Sequence, residues 1–203
     1  MRKTIYCPRF LTGTEFDWVR NVTPVDTPEK ADIIVFSGGA DINPNLYGCE
    51  RHPTTHFYQM RDDLEVNCFN KLSKDQVVIG LCRGAQLITA LNGGKLIQNV
   101  TGHCCGPHSI TNRDLSFKIE SIHHQMMYPF DMSKEDYDLL FWASKNRSSI
   151  YEGDKIGIPP CEPEVILYHK KDLPTCLAIQ GHPEMMSHCQ AHEVFNDILK
   201  TII

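Results

Sequence analysis

Short apolar runs alternate along the chain with stretches of helical spacing. The apolar runs predict six strands, at residues 4–7, 32–36, 76–79, 117–120, 165–168 and 176–180. Two of them, within DIIVF and QVVIG, are almost continuously apolar and rich in β-branched residues, which is typical of strands covered by helices on both faces of a parallel sheet. The pattern therefore favours a layered α/β fold.

The helical stretches predict three helices, over residues 61–72, 84–91 and 192–202. The last has its apolar side chains on one face, as an amphipathic helix does. Residues 131–163 are polar and contain turn-forming pairs, so we expect surface loops there, with one short helix over 134–142. No repeat or linker divides the sequence, and 203 residues fit one domain, 1–203.

Charge and composition exclude several classes of partner. The chain has 20 basic and 25 acidic side chains and a formal net charge of -5, which argues against a nucleic-acid partner. The N-terminal residues contain no apolar run long enough for a signal peptide or a membrane span. We therefore expect a cytoplasmic protein with no membrane partner.

The nine cysteines stand at irregular spacing, and an odd number of this kind is not a disulfide framework. The segment HCCGPH, residues 103–108, is a candidate zinc site because it holds two thiols and two imidazoles. No C-x-x-C pair accompanies it, and the adjacent Cys104 and Cys105 point to opposite faces of an extended segment. We expect reduced cysteines and no metal.

The segment GLCRG, residues 80–84, has the spacing of a nucleophile elbow with a thiol in place of the usual hydroxyl. It follows a predicted strand and opens a predicted helix, and glycines on both sides of Cys82 let the two elements pass closely. The helix N-terminus favours a thiolate at Cys82, as does Arg83 if its head points toward the sulfur. The alternative is a buried cysteine in a tight turn.

A cysteine nucleophile needs a base and an orienting group. His182 and Glu184 follow the last predicted strand and are two residues apart, so they face the same side of an extended segment. They lie at a strand's carboxyl end, where α/β sheets collect their active sites. Alone, this pair would be a turn with two solvated groups; with Cys82 it predicts a Cys-His-Glu triad.

Glycines also follow the 32–36 strand, in SGGAD. Backbone N–H groups of a glycine loop can converge on an oxyanion, and we assign this role to the amides of Gly39 and Arg83. The alternative for the loop is an ordinary tight turn. Together these features indicate acyl transfer, which requires neither metal nor organic cofactor.

Five blocks, in order, resemble one family. They are SGGADINPNLYG, RDDLE, GLCRGAQLITALNGGKLIQN, SIHHQ and AIQGHPE. The set resembles the class I glutamine amidotransferase-like superfamily, and most closely its branch of free-standing γ-glutamyl hydrolases typified by γ-glutamyl-γ-aminobutyrate hydrolase. The resemblance implies a single-domain, three-layer, flavodoxin-like α/β fold with a mostly parallel central sheet.

The resemblance also implies residue roles. Cys82 is the nucleophile, His182 the general base and acid, and Glu184 the residue that orients it. The substrate-binding residues are Gly38, Gln86, Ser121, His123, His124 and Gln125. The RDDLE block, with Arg61, Asp62 and Glu65, is implied to hold the helix beside the elbow. Gly181 departs from the family, which has a large aromatic residue there, and is expected to widen the pocket.

The sequence is compatible with three functions. The first is hydrolysis of a small-molecule γ-glutamyl substrate, a γ-glutamylated metabolite or nucleotide-linked amidate, to glutamate and an amine. The second is a glutaminase subunit that delivers ammonia to a separate synthetase or amidoligase. The third is a regulatory binding module that retains the fold, which the presence of all three triad residues disfavours.

Overall fold

The computed structural model describes residues 2–8 and 14–203. The described residues form three α-helices, α1 (Gln59–Phe69), α2 (Arg83–Leu91) and α3 (Gln190–Ile202). The strands of this part of the chain are β1 (Lys3–Tyr6), β2 (Val22–Pro24), β3 (Ile33–Phe36), β4 (Val77–Leu81), β5 (Lys95–Ile97), β6 (Asn99–Val100), β7 (His108–Thr111), β8 (Ser116–Ile119), β9 (Met126–Tyr128), β10 (Tyr137–Ala143), β11 (Tyr151–Glu152), β12 (Pro163–Tyr168) and β13 (Thr175–Ile179). Short 3-10 turns occupy Pro28–Lys30, Pro44–Tyr47 and Pro183–Met185.

The main sheet has nine strands in the order β2-β1-β3-β4-β13-β12-β10-β7-β8. From β2 to β13 every neighbouring pair is parallel, and from β13 to β8 every pair is antiparallel. Only β12 and β7 therefore run against the common direction, so the predicted mostly parallel sheet is confirmed. Two small antiparallel sheets, β5 with β9 and β6 with β11, extend the fold on one side.

Helices cover both faces of the sheet, because buried strands must bury both sets of side chains. In β3 the residues alternate between the faces. Ile33 and Val35 pack in the same cluster as Phe195 of α3. Ile34 and Phe36 pack in the opposite cluster, with the apolar faces of α1 and α2. The predicted three-layer α/β architecture is confirmed.

The six predicted strands and three predicted helices are present, with ends displaced by at most three residues. The helix predicted over 134–142 is wrong, because β10 occupies this segment and pairs with β12 and β7 inside the main sheet. Residues 131–163 therefore include a central strand as well as surface loops. No helix in the described ranges is long and apolar enough to cross a membrane.

Candidate active site

Cys82 lies at a sharp turn between β4 and α2. Its backbone has φ 50° and ψ -105°, a conformation that is strained for a residue with a side chain. The neighbouring glycines allow this turn. A Cβ on Gly84 would lie 2.0 Å from the carbonyl oxygen of Phe36, and a Cβ on Gly80 would lie 2.5 Å from Gly84. The structure thus has the predicted elbow, with Cys82 at the N-terminus of α2.

His182 is brought to Cys82 by the sheet. It follows β13, which is parallel to β4 and pairs Ile179 with Leu81, immediately before the elbow. Nδ1 of His182 lies 2.7 Å from Oε1 of Glu184. The contact predicted from the two-residue spacing is therefore present, although the chain makes it through the 3-10 turn Pro183–Met185 rather than an extended segment.

The imidazole of His182 holds a proton firmly. Burial by itself lowers its pKa, but the interactions with Cys82 and with the Glu184 carboxylate outweigh that effect and raise the pKa to about 10. Because Glu184 accepts the Nδ1 proton, the other ring nitrogen, Nε2, is directed away from the carboxylate. Among the described residues Nε2 has no hydrogen-bond partner, which leaves it available to a substrate.

A cavity of about 230 Å³ opens over the nucleophile. It is lined by Glu15, Gly38, Gly39, Cys82, Ile122, His182, Glu184 and Met185. Glycine is required at position 38, since a Cβ there would lie 2.9 Å from Cε1 of His182. Gly39 has φ 138°, a backbone conformation that residues with side chains rarely adopt.

The two amides assigned to the oxyanion hole border this cavity from different elements. Gly39 is in its lining, in the loop after β3. Arg83 is the first residue of α2, so its N–H has no acceptor within the helix. The geometry is compatible with the assignment, which stays a prediction.

The guanidinium of Arg83 is occupied by carboxylates, so it does not have the role beside the Cys82 sulfur that the sequence analysis considered. The Arg83 side chain is 1% exposed, and its guanidinium pairs with the carboxylates of Asp62 and Glu65 on α1. Arg61 pairs with Glu65 and donates to the carbonyl oxygens of Ser37 and Gly38, at 2.9 Å each. These four charged residues, the α1 network, join the elbow helix, α1 and the glycine loop, which is the structural role that the family resemblance implies.

The remaining residues predicted to bind substrate fall into two groups. Gln86 and Gln125 lie together, and the Gln86 side chain donates to the Gln125 carbonyl oxygen at 3.3 Å. Nε2 of His124 lies 3.0 Å from Asp41, whose hydrogen bond raises the pKa of this half-exposed imidazole. None of these three is in the lining of the described cavity, and their roles stay predictions.

Ser121 and His123 point elsewhere. The Ser121 hydroxyl donates to the carbonyl oxygen of His103 at 2.7 Å. His123 is 3% exposed, and burial lowers its pKa to about 3. Its ring lies beside His103 and Glu164, and neither Ser121 nor His123 is in the lining of the described cavity, so their substrate-binding roles stay predictions.

Gly181 does not widen the pocket. A Cβ at this position would lie 2.6 Å from the side chain of Ile119 and 2.8 Å from the carbonyl oxygen of Glu120. The space that an aromatic residue would occupy is therefore filled by β8 and the residue after it, and the expectation of extra room is wrong.

Three cavity residues were absent from the sequence prediction. Glu15 is 2% exposed and comes from the segment before β2, where no pattern indicates a site. Ile122 and Met185 are about half exposed at the cavity and flank predicted residues. The sequence signal available for these two was an apolar residue inside SIHHQ and another directly after HPE.

Comparison with known proteins gives a family. The sequence profile of the Peptidase C26 family matches residues 24–129, slightly more than half of the chain. A glutamine amidotransferase-like protein of Lactococcus lactis subsp. cremoris, a YvdE homolog, is 36% identical over 91 residues. That match covers 39% of this chain and 47% of the relative, so the chain matches less than half of that protein's length.

Two solved structures superpose over the whole chain. One, from Thermoplasma acidophilum, is described as a GMP synthase subunit and has a TM-score of 0.62 at 16% identity. The match covers 100% of this chain and 92% of the Thermoplasma chain. The other, PurLQS from Thermotoga maritima, has a TM-score of 0.61 at 13% identity and covers 100% of both chains. At these identities the likeness shows the fold alone, and it confirms the predicted flavodoxin-like class.

The family match includes the glycine loop, α1 and the elbow, whereas His182 and Glu184 lie beyond it, so their assignment depends on geometry. The matched segment carries the classification: this chain belongs to the Peptidase C26 family of the class I glutamine amidotransferase-like superfamily.

Proposed function

We propose that this chain hydrolyses the side-chain amide of a small γ-glutamyl compound, with Cys82 as nucleophile and His182 and Glu184 as its partners. The observation that carries the proposal is that the strained elbow at Cys82 and the His182–Glu184 pair border one cavity with the glycine loop. Relatives named for glutamine amidotransferase support the broader reaction class, amide hydrolysis or amidotransfer.

In the first half of the reaction the Cys82 thiolate attacks the amide carbon. The carbonyl π electrons move to the oxygen, and the amides of Gly39 and Arg83 stabilise the oxyanion that forms. The imidazolium of His182 then donates its Nε2 proton to the departing nitrogen as the C–N bond breaks. The products are a γ-glutamyl thioester on Cys82 and a free amine.

In the second half, His182 is neutral and accepts a proton from water at Nε2. The hydroxide equivalent attacks the thioester carbon, and the C–S bond breaks to release glutamate and the Cys82 thiolate. Glu184 keeps the imidazole in the tautomer and orientation that both halves need, because it accepts the Nδ1 proton throughout. Every atom of the substrate and of one water appears in the two products.

The test is a panel of γ-glutamyl amines, including glutamine, with released glutamate and amine both measured. We expect at least one member to be hydrolysed, and Cys82→Ser to lower that rate by about a thousandfold or more. Cys105→Ser is the matched control, because Cys105 is exposed and outside the cavity, and it should keep the wild-type rate. Unchanged hydrolysis in Cys82→Ser would refute the proposed nucleophile.

A glutaminase subunit is the second candidate, favoured by the fold likeness to a protein described as a GMP synthase subunit. It uses the same triad, so Cys82→Ser does not distinguish the two. The panel of substrates distinguishes the two. A glutaminase subunit should hydrolyse glutamine and no larger amide, and should need an added synthetase for its full rate. A γ-glutamyl hydrolase should hydrolyse larger amides without a partner chain.

A further inference from the structure

Three segments that are distant in sequence bring imidazoles around one buried carboxylate. His103 and His108 come from HCCGPH, His123 comes from SIHHQ, and Glu164 is in β12. We call these four residues the histidine cluster. Donor atoms of His103, His108 and Glu164 all lie within 4.8 Å of one another, and all four side chains are at most 3% exposed. None of the four is in the lining of the cavity, and the cluster takes no part in the mechanism above.

The hydrogen bonds around the cluster allow two of its rings, His103 and His123, to face the centre with a lone pair, whereas Nε2 of His108 lies at hydrogen-bond distance, 2.7 Å, from Oε1 of Glu164. His123 donates from Nδ1 to the carbonyl oxygen of Gln125 at 2.8 Å, so a neutral ring has its lone pair on Nε2. Nε2 of His103 lies 3.1 Å from Oε2 of Glu162, and a neutral ring that donates there has its lone pair on Nδ1. This carboxylate–histidine arrangement is the one that orients metal-binding imidazoles.

Among the described residues, Nδ1 of His103 and Nε2 of His123 have no standard hydrogen-bond partner. Both face Oε1 of Glu164, at 3.4 and 3.9 Å. Two lone pairs directed at a carboxylate repel it unless a cation lies between them. The geometry therefore calls for a positive charge at the centre of the cluster.

Charge balance points the same way. Glu162 and Glu164 are both fully buried, and no lysine or arginine side chain in the described ranges pairs with either. Glu162 accepts further hydrogen bonds from the amides of Arg147 and Ser148 and from Tyr151, as an ionised carboxylate does. Among the described residues, the partners that could balance these two buried carboxylates are histidines, which do so only when protonated, whereas one divalent cation neutralises both.

We propose that His103, His108, His123 and Glu164 bind one structural zinc ion. In tetrahedral zinc sites with nitrogen and oxygen ligands, neighbouring donor atoms are about 3.3 Å apart. Oε1 of Glu164 lies 2.7 Å from Nε2 of His108, and its distances to the other two imidazoles are those given above. These distances bracket the zinc value. Four protein ligands in a buried site are typical of a structural ion rather than a catalytic one.

This site differs from the one considered from the sequence. The cysteines of HCCGPH do not take part, because Cys104 and Cys105 are exposed and the Cys104 thiol donates to the His123 carbonyl at 3.0 Å. The missing ligands come from the two other segments. The ion would fix His103 against residues 121–125, which also hold His103 through the Ser121 hydroxyl and the His123 amide.

The first test uses the wild-type chain, so that it does not depend on how variants fold. The chain is stripped with a chelator, loaded with Zn²⁺ or Co²⁺ and separated from free metal. We expect one ion per chain and a thermal midpoint about 5 to 10 °C higher with zinc a hundredfold above its Kd. A folded chain that retains no ion, and whose midpoint is unchanged by metal and chelator, would overturn the proposal in favour of protons shared among the imidazoles and Glu164.

The second test locates the ion. Cobalt in the histidine cluster should give tetrahedral d–d absorption without the thiolate-to-cobalt charge transfer that binding at Cys82, Cys104 or Cys105 would give. Glu164→Ala should lose the ion, whereas His169→Ala, at an exposed histidine outside the cluster, should keep it. An ion that survives Glu164→Ala and is lost from a Cys104→Ser, Cys105→Ser double variant would refute the site. Because these readouts are independent of turnover, failure of the proposed hydrolysis would leave them unaffected.

Discussion

The pKa of His182 links the geometry of the site to its pH dependence. It is raised to about 10 by Cys82 and Glu184 against the effect of burial. A histidine whose pKa is higher in the folded chain contributes stability below its usual pKa, near 6.5, and this contribution is lost as pH rises toward 10. The protonated ring is also the form that donates to the departing amine, so activity should fall over the same alkaline range.

Glu184→Gln should shift the alkaline limb of the kcat/KM profile to lower pH. The amide removes the carboxylate charge while keeping an oxygen that can accept from Nδ1, so the pKa of His182 falls. Glu193→Gln is the control, since Glu193 is an exposed glutamate on α3 that pairs only with Arg20 in the described structure. If the two variants have the same alkaline limb as wild type, Glu184 does not hold the proton on His182.

At the scale of elements, α1 positions the glycine loop through buried charge. Arg61 holds the carbonyls of the glycine loop, and Arg83 anchors α2 to Asp62 and Glu65. Two arginines and two carboxylates balance one another out of contact with water. Loss of one partner would leave a buried charge uncompensated, which is far costlier than loss of a surface pair.

Asp62→Asn should therefore lower the free energy of unfolding by about 3 kcal/mol, because it leaves Arg83 with one carboxylate fewer in a buried site. Asp63→Asn is the adjacent control, on the exposed face of the same helix, and should change it by less than about 0.5 kcal/mol. Urea unfolding of both variants gives the comparison. Equal midpoints and slopes for the two would mean that the α1 network does not stabilise the fold.

The elements that the sequence predicted well are those with an unambiguous period. The β3 and β4 runs are continuously apolar because both faces are covered, and α3 has one apolar face. The β10 segment was mistaken for a helix because register shifts between Leu139 and Phe141, and again at Trp142, break its two-residue alternation. Its pairing with β12 and β7 is a long-range property that no local pattern carries.

The same limit applies to the site. The elbow and the His182–Glu184 pair are local in sequence and were predicted, with only the sheet needed to join them. The direction of the Arg83 side chain depends on α1, and the filled space at Gly181 depends on Ile119. The histidine cluster joins three segments through the strand order, so the HCCGPH motif alone could not indicate which of its residues would meet.

For the molecule as a whole, the cysteines report both redox state and reactivity. No disulfide joins any of the nine in the structure. Alkylation of the denatured chain without reductant should therefore modify nine thiols, and a smaller number would indicate a disulfide.

In the native chain, Cys82 should react faster than Cys49. The two are almost equally buried, at 6% and 5% exposed, but Cys82 borders the cavity beside His182, whereas burial and Asp154 raise the pKa of Cys49. Peptide mass spectrometry over a time course measures both rates. Equal alkylation rates of Cys82 and Cys49 would favour the third function, a regulatory binding module that does not catalyse a reaction.

The most direct test of the account is to trap the acyl-enzyme. The wild-type chain is mixed with a γ-glutamyl amide that it hydrolyses, and the reaction is quenched in acid. The peptide that contains Cys82 should then be heavier by one glutamyl group, and hydroxylamine should remove that group. Cys105→Ser should give the same adduct. Two results together would contradict the central claim. Glutamate would be released with no adduct on Cys82 at times before turnover is complete, and the rate of release would be the same in Cys82→Ser.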